Sequence, residues 1–96
     1  MLNKETIIKT LNDHQFEIRR FGVKRLGLFG SFARGEQKAS SDLDFVVELE
    51  PKTFDAYMGL KQFLEKLFEC RVDLVLLNAI KPRLKEQIMG EMVNAA

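Results

Sequence analysis

An α/β fold, a small mixed sheet of three or four strands packed by about four helices, is what this sequence predicts. Strand-like segments near residues 23–29, 42–49 and 71–77, the second with a clean period-two pattern, are separated by segments whose apolar residues recur every three or four positions. Strands interleaved with helices build a sheet with helices laid on it, and a helix joining the second strand to the third makes a right-handed parallel crossover. Size is the remaining observation. Ninety-six residues, 46% hydrophobic and 30% charged, with two prolines and six glycines, suffice for one compact domain spanning 1–96 and leave no room for a second.

Asn3 is suited to cap the first helix, with Glu5 in its opening turn, and Ile7, Leu11, Ile18 and Phe21 fall on one stripe that runs up to Gly22. His14 shares the stripe without an acidic partner at helical spacing, so it reads as an edge packing residue. Val23–Phe29 is a strand with apolar residues on both faces, ending at Gly30. In the next strand Leu43, Phe45, Val47 and Leu49 alternate with Asp42, Asp44, Val46 and Glu48, so one face is core and the carboxylates share the other. Pro51 closes it. Thr53 then caps a helix with Asp55 at its dipole-favoured start and Tyr57, Leu60, Leu64, Leu67 and Phe68 as its stripe. Arg71–Leu77 is a third strand in which Asp73 is the single acid among apolar neighbours. The last helix starts near Pro82, turns Leu84 and Ile88 inward and stops near Gly90.

Composition removes several functions. Fifteen Lys and Arg against fourteen Asp and Glu leave a net charge of +1, short of the basic excess of a phosphate-coating nucleic-acid binder. No direct nucleic-acid binding is expected. The charged, amphipathic N-terminal stretch resembles neither a signal peptide nor a membrane span, so the expectation is a cytoplasmic protein without membrane contact. Cys70, the lone cysteine, has no partner for an internal disulfide, and no Cys or His cluster suits zinc; it reads as a small packing residue. Phe32, Met89 and Met92 are apolar positions expected at the surface, open to an interface.

Chemistry concentrates in the segment GSFARGEQKASSDLDFVVEL, residues 30–49. Gly30 and Ser31 stand where a strand hands over to a short helical turn, leaving backbone N–H groups and a hydroxyl free for phosphate oxygens, and glycine lets a phosphate approach the backbone. Asp42 and Asp44, two apart on a strand, lie about 6.6–6.8 Å from each other on one face, a spacing that lets two carboxylates serve divalent cations. Alone, each feature is weak. Asp73 adds a third carboxylate, and one placed mid-strand in apolar company needs a partner or a metal. Three carboxylates from two strands opposite a phosphate-holding turn suit metal-assisted nucleotide transfer, in which one cation anchors a triphosphate and a second activates the attacking hydroxyl. The all-oxygen donor set points to Mg²⁺. Gly-Ser followed at fixed spacing by Asp-x-Asp arises by chance in roughly one in 10³ chains of this length.

The stretch LFGSFARGEQKASSDLDFVVEL, together with the later RVDLVLL, resembles the minimal nucleotidyltransferase (MNT) domain of the DNA polymerase beta superfamily. Its mark is Gly-Ser, ten residues, Asp-x-Asp, and a third Asp on a later strand. The resemblance runs from Val23 to about Gly90. It implies ATP with Mg²⁺ as donor, Asp42 and Asp44 as the principal metal ligands, Asp73 as third ligand or base, and Gly30 with Ser31 on the triphosphate. Arg34 and Gly35 also fit the family pattern; Arg34 either meets a phosphate or a carboxylate through its bidentate fork, or forms a salt bridge with Glu36 or Asp42. Glu36, Lys38 and Ser40 read as solvated loop, and Glu48 as surface.

Small stand-alone members look like antitoxins that silence a HEPN-type ribonuclease toxin by transferring AMP to a toxin tyrosine. The expected function is therefore a Mg²⁺-dependent protein adenylyltransferase acting as antitoxin on a HEPN partner. Two alternatives remain: a non-catalytic antitoxin that binds the toxin sterically, and the catalytic subunit of a small-molecule nucleotidyltransferase of the antibiotic-modifying kind. An accessory domain for the base or acceptor does not fit in 96 residues, so those contacts would come from a partner; Lys81, Arg83 and Lys85 read as a solvated helix face.

Overall fold

The structure, a computed structural model, describes residues 2–38 and 40–95. Five α-helices and four strands follow in the order α1 (Lys4–Asp13), α2 (Gln15–Arg19), β1 (Val23–Phe29), α3 (Ser31–Arg34), β2 (Leu43–Leu49), α4 (Phe54–Phe68), β3 (Val72–Leu76), α5 (Pro82–Glu91) and β4 (Val93–Asn94), with a 3-10 turn at Leu77–Ala79. The strands form one mixed sheet in the order β3-β2-β1-β4. β1 is antiparallel to both β2 and β4, whereas β2 and β3 are parallel, joined by α4.

Local chemistry explains the elements. Asn3 accepts the Thr6 N–H at 2.9 Å while the Thr6 hydroxyl accepts the Asn3 N–H at 3.0 Å, a reciprocal cap that starts α1. Thr53 accepts the Ala56 N–H at 3.1 Å at the start of α4. The first helical stripe is broken at His14, whose Nδ1 lies 2.9 Å from the Thr10 carbonyl oxygen and whose ring meets Phe63 edge-on. Asn12, Asp13 and His14 are poor interior helix residues, which explains why one predicted helix becomes two while Ile7, Leu11 and Ile18 stay buried. Gly22 adopts φ +91°, and a Cβ there would stand 2.8 Å from the Glu50 carbonyl oxygen, so the turn into β1 requires glycine.

Cross-strand register sorts the residues into two faces. Leu26 and Leu28 of β1 lie opposite Val47 and Phe45 of β2, which in turn lie beside Leu76 and Leu74 of β3. These side chains meet Ile7, Leu11, Ile18, Leu60 and Leu64 in the main core. Gly27, Phe29, Asp44, Val46, Asp73 and Val75 occupy the opposite face. Val46 is fully buried there, and the space above Gly27 is filled by Met92, onto whose side chain a Cβ at Gly27 would fall. The predicted carboxylate face is thus partly covered.

The C-terminal region departs most from expectation. Leu84 does not turn inward: it is 45% exposed, α5 buries no residue, and Ile88 is half-buried. The helix meets the sheet through its far end, where Glu91 pairs with Arg34 and Met92 covers Gly27, so its first turn stands clear of the core. Phe32, expected at the surface, is buried, and Met89 and Met92 are half-buried. β4 is only two residues long, too short to register as an alternating pattern. Among the described residues no helix is long and apolar enough to cross a membrane. Phe45, fully buried and stacked on Phe68 at a centroid distance of 6.2 Å, anchors the core, so Phe45→Ala should lower the unfolding free energy by about 3–5 kcal/mol in urea titration.

Candidate active site

One row of the sheet assembles the site. Phe29, the last residue of β1, pairs with Asp44 of β2, and Asp44 pairs with Asp73 of β3. Directly opposite residues share a face, so the Asp44 and Asp73 carboxylates stand side by side. Immediately beyond Phe29 the chain turns through Gly30 into α3. Gly30 has φ +77° and ψ −154°, a region that only glycine enters without strain, and a Cβ on it would collide with the Asp44 carboxylate. The Gly-Ser turn and the second aspartate of the Asp-x-Asp pair therefore touch, fourteen positions apart in sequence but in direct contact in space.

Asp42 precedes β2 and is exposed, as is Asp73; Asp44 is half-buried. Burial, then the neighbouring Asp73 and Asp42 carboxylates, push the Asp44 carboxyl above its ordinary value of 3.8, and the Arg34 guanidinium pulls the other way. Asp44 thus stands among negative charge with too little cation to balance it. Among the described residues no three His, Cys, Asp or Glu side chains are gathered closely enough to enclose an ion by themselves. The donors that are present are all hard oxygens, which fits a cation that takes its remaining ligands from phosphate and water, as Mg²⁺ does.

Ser31 opens α3, where first-turn N–H groups lack a carbonyl four residues back. The Ser31 carbonyl accepts the Glu36 N–H at 2.9 Å, and Gly35 ends the helix at φ +73°. Arg34 pairs with Glu36 at 2.6 Å, one of the two salt bridges weighed from the sequence, and not with Asp42. Its second partner, Glu91 at 3.4 Å on α5, lies 57 positions away, where no sequence spacing could suggest it. Both pairs are exposed and so contribute little to stability. Cys70 packs against the core as expected, and burial with Asp42 nearby pushes its thiol up, keeping it protonated.

A parallel strand pair carrying opposed carboxylates beside a glycine turn is an α/β layout suited to a cation-assisted phosphoryl or nucleotidyl transferase. The chain matches the sequence profile of the nucleotidyltransferase domain over residues 8–94 and belongs to that family. It is 39% identical over 95 residues to protein adenylyltransferase MntA of Thermococcus cleftensis, covering 97% of this chain and 96% of that one. A solved structure assigned as a minimal nucleotidyltransferase superposes with a TM-score of 0.85 at 36% identity, over 96% of this chain and 95% of the other. A chain from a toxin–antitoxin crystal structure with AMP-PNP gives a TM-score of 0.71 at 25% identity, over 88% of this chain and 72% of that one. The nucleotidyltransferase core expected from the sequence is therefore the fold observed.

A carboxyl whose folded pKa is raised contributes stability below its unfolded value, and that contribution is lost as pH rises through the folded value. Asp44→Asn should therefore raise the melting temperature at pH 7 in the absence of divalent cations, and the gain should vanish as the pH falls below about 4, near the ordinary carboxyl value of 3.8. Gly30→Ala should cost roughly 1–3 kcal/mol of stability by chemical denaturation, because its backbone conformation is strained for any L side chain.

Proposed function

We propose that this chain is a Mg²⁺-dependent protein adenylyltransferase that transfers AMP from ATP to a tyrosine hydroxyl of a HEPN-type ribonuclease toxin, thereby acting as its antitoxin in the cytoplasm. The observation that carries the reading is the row Phe29–Asp44–Asp73, which sets two carboxylates beside the Gly30–Ser31 turn. The similarity to protein adenylyltransferase MntA supports the reaction, and the likeness to a toxin–antitoxin chain crystallised with AMP-PNP supports the nucleotide and the kind of partner.

In this reading Gly30 and Ser31 seat the triphosphate through backbone N–H groups and the Ser31 hydroxyl. Asp42 and Asp44 would hold the cation as its principal ligands, and Asp73 would serve as third ligand and as base. Bound Mg²⁺ supplies charge neutralisation on the phosphates. The tyrosine oxygen forms a bond to the α-phosphorus as the bond to the bridging oxygen breaks; pyrophosphate leaves with that electron pair, and the hydroxyl proton passes to Asp73. Arg34, already near Asp44, is the side chain available to meet phosphate charge if it leaves Glu36 and Glu91. The 96 residues act as one domain, and contacts that select the acceptor come from the toxin.

Mixing the protein with Mg·ATP and the HEPN-domain protein encoded beside its gene, then recording the partner's intact mass, should show one or more added adenylate groups on tyrosine. The combined Asp42→Asn and Asp44→Asn variant should slow the transfer about a thousandfold, the loss of several kcal/mol of charge stabilisation. Neutralisation that persists unchanged in this variant without added mass would favour steric binding. Adenylate appearing on an aminoglycoside instead would favour a small-molecule enzyme.

A further inference from the structure

Among the described residues β3 is the outermost strand on its side of the sheet, with β2 as its neighbour, and spans five residues. An edge strand this short presents a row of unpaired backbone groups and is held in register from one side only. The Leu43 N–H donates to the Arg71 carbonyl at 3.0 Å. By the alternation of strand backbones, Asp73 likewise turns its polar backbone toward β2, while Val72 and Leu74 turn theirs outward. Those outward groups do not face water alone. The Tyr57 hydroxyl donates to the Leu74 carbonyl at 2.6 Å, and the Glu65 carboxylate accepts the Val72 N–H at 3.2 Å, both partly buried. Tyr57 lies early in α4 and meets the later residue, while Glu65 lies late and meets the earlier one, so helix and strand run in opposite senses.

We infer that Tyr57 and Glu65 form a clamp from α4 that brackets Asp73, fixing the third carboxylate of the site against Asp44 by holding the backbone on either side of it. The inference rests on the adenylyltransferase reading for the role of Asp73, but the clamp's geometry stands independently. Neither side chain reaches the site face; both are positioning residues. Their hydrogen bonds occupy the one strand edge whose slippage would move Asp73 relative to Asp44, because a shift of one residue would send Asp73 to the core face.

The test is a double-variant cycle read by Mn²⁺ affinity, using electron paramagnetic resonance with a non-hydrolysable ATP analogue present. Partners that orient metal ligands typically alter affinity by about tenfold to a hundredfold when removed. Tyr57→Phe, which keeps the ring and loses only the hydroxyl, should weaken Mn²⁺ binding by about tenfold, as should Glu65→Ala. Glu65→Gln, which keeps an oxygen acceptor, should recover most of that loss. In an Asp73→Asn background, Tyr57→Phe should add nothing further. If Tyr57→Phe binds Mn²⁺ like the wild type, or if its loss adds in full to that of Asp73→Asn, the clamp is a general stabiliser and the inference fails while the functional reading stands. If Asp73→Asn itself leaves Mn²⁺ affinity unchanged, the assigned role of Asp73 fails and the clamp falls with it.

Discussion

Like charges placed directly across neighbouring strands repel, and the sheet brings Asp44 and Asp73 into that position with Asp42 close by. Nothing in the packing demands it. The Asp44 carboxyl is pushed up by burial and by both neighbours, and the one guanidinium that opposes this is already shared by Glu36 and Glu91. A fold with a core of fully buried Leu, Ile, Val and Phe could hold its register with neutral residues in that row. Keeping two carboxylates there, with Asp42 close by, imposes a standing cost, which a divalent cation and a triphosphate would convert into binding.

The sheet separates this strained row from the residues that stabilise the molecule. One face carries Leu26, Leu28, Phe45, Val47 and Leu74 into contact with α1, α2 and α4. The other carries Asp44 and Asp73 near its open end, with Met92 covering Gly27 farther along. Because successive strand residues alternate sides, the apolar neighbours of each aspartate lock its position from the other face, leaving Asp73 exposed and Asp44 half-buried. Gly30 closes the arrangement. Its conformation and its contact with Asp44 leave no room for a side chain, so the Gly30 turn and the carboxylate row form a single unit.

Much of this was legible in the residues. Strand alternation gave β1 its observed bounds and β2 all but its first residue, since Asp42, expected on the strand, precedes it, and the caps at Asn3 and Thr53 are present as anticipated. The parallel β2–β3 pair followed from the intervening helix, and it places Asp73 on the side of Asp44. What escaped depends on contacts remote in sequence or on very short elements. Leu84 carries a helical apolar signal, yet α5 reaches the sheet only by its end, which no local pattern encodes. The two residues of β4 are below the length at which alternation means anything. The Arg34–Glu91 pair and the Tyr57 and Glu65 hydrogen bonds to β3 join elements whose relative placement only the tertiary structure supplies.

In the proposed function the carboxylate row and the Gly30 turn take a divalent cation and a nucleoside triphosphate together. Calorimetric titration of the wild-type protein with a non-hydrolysable ATP analogue, run with Mg²⁺ and again with EDTA, tests this pairing. Saturable binding that requires Mg²⁺ is the predicted result. Equal binding in EDTA, or none in either condition, would contradict it.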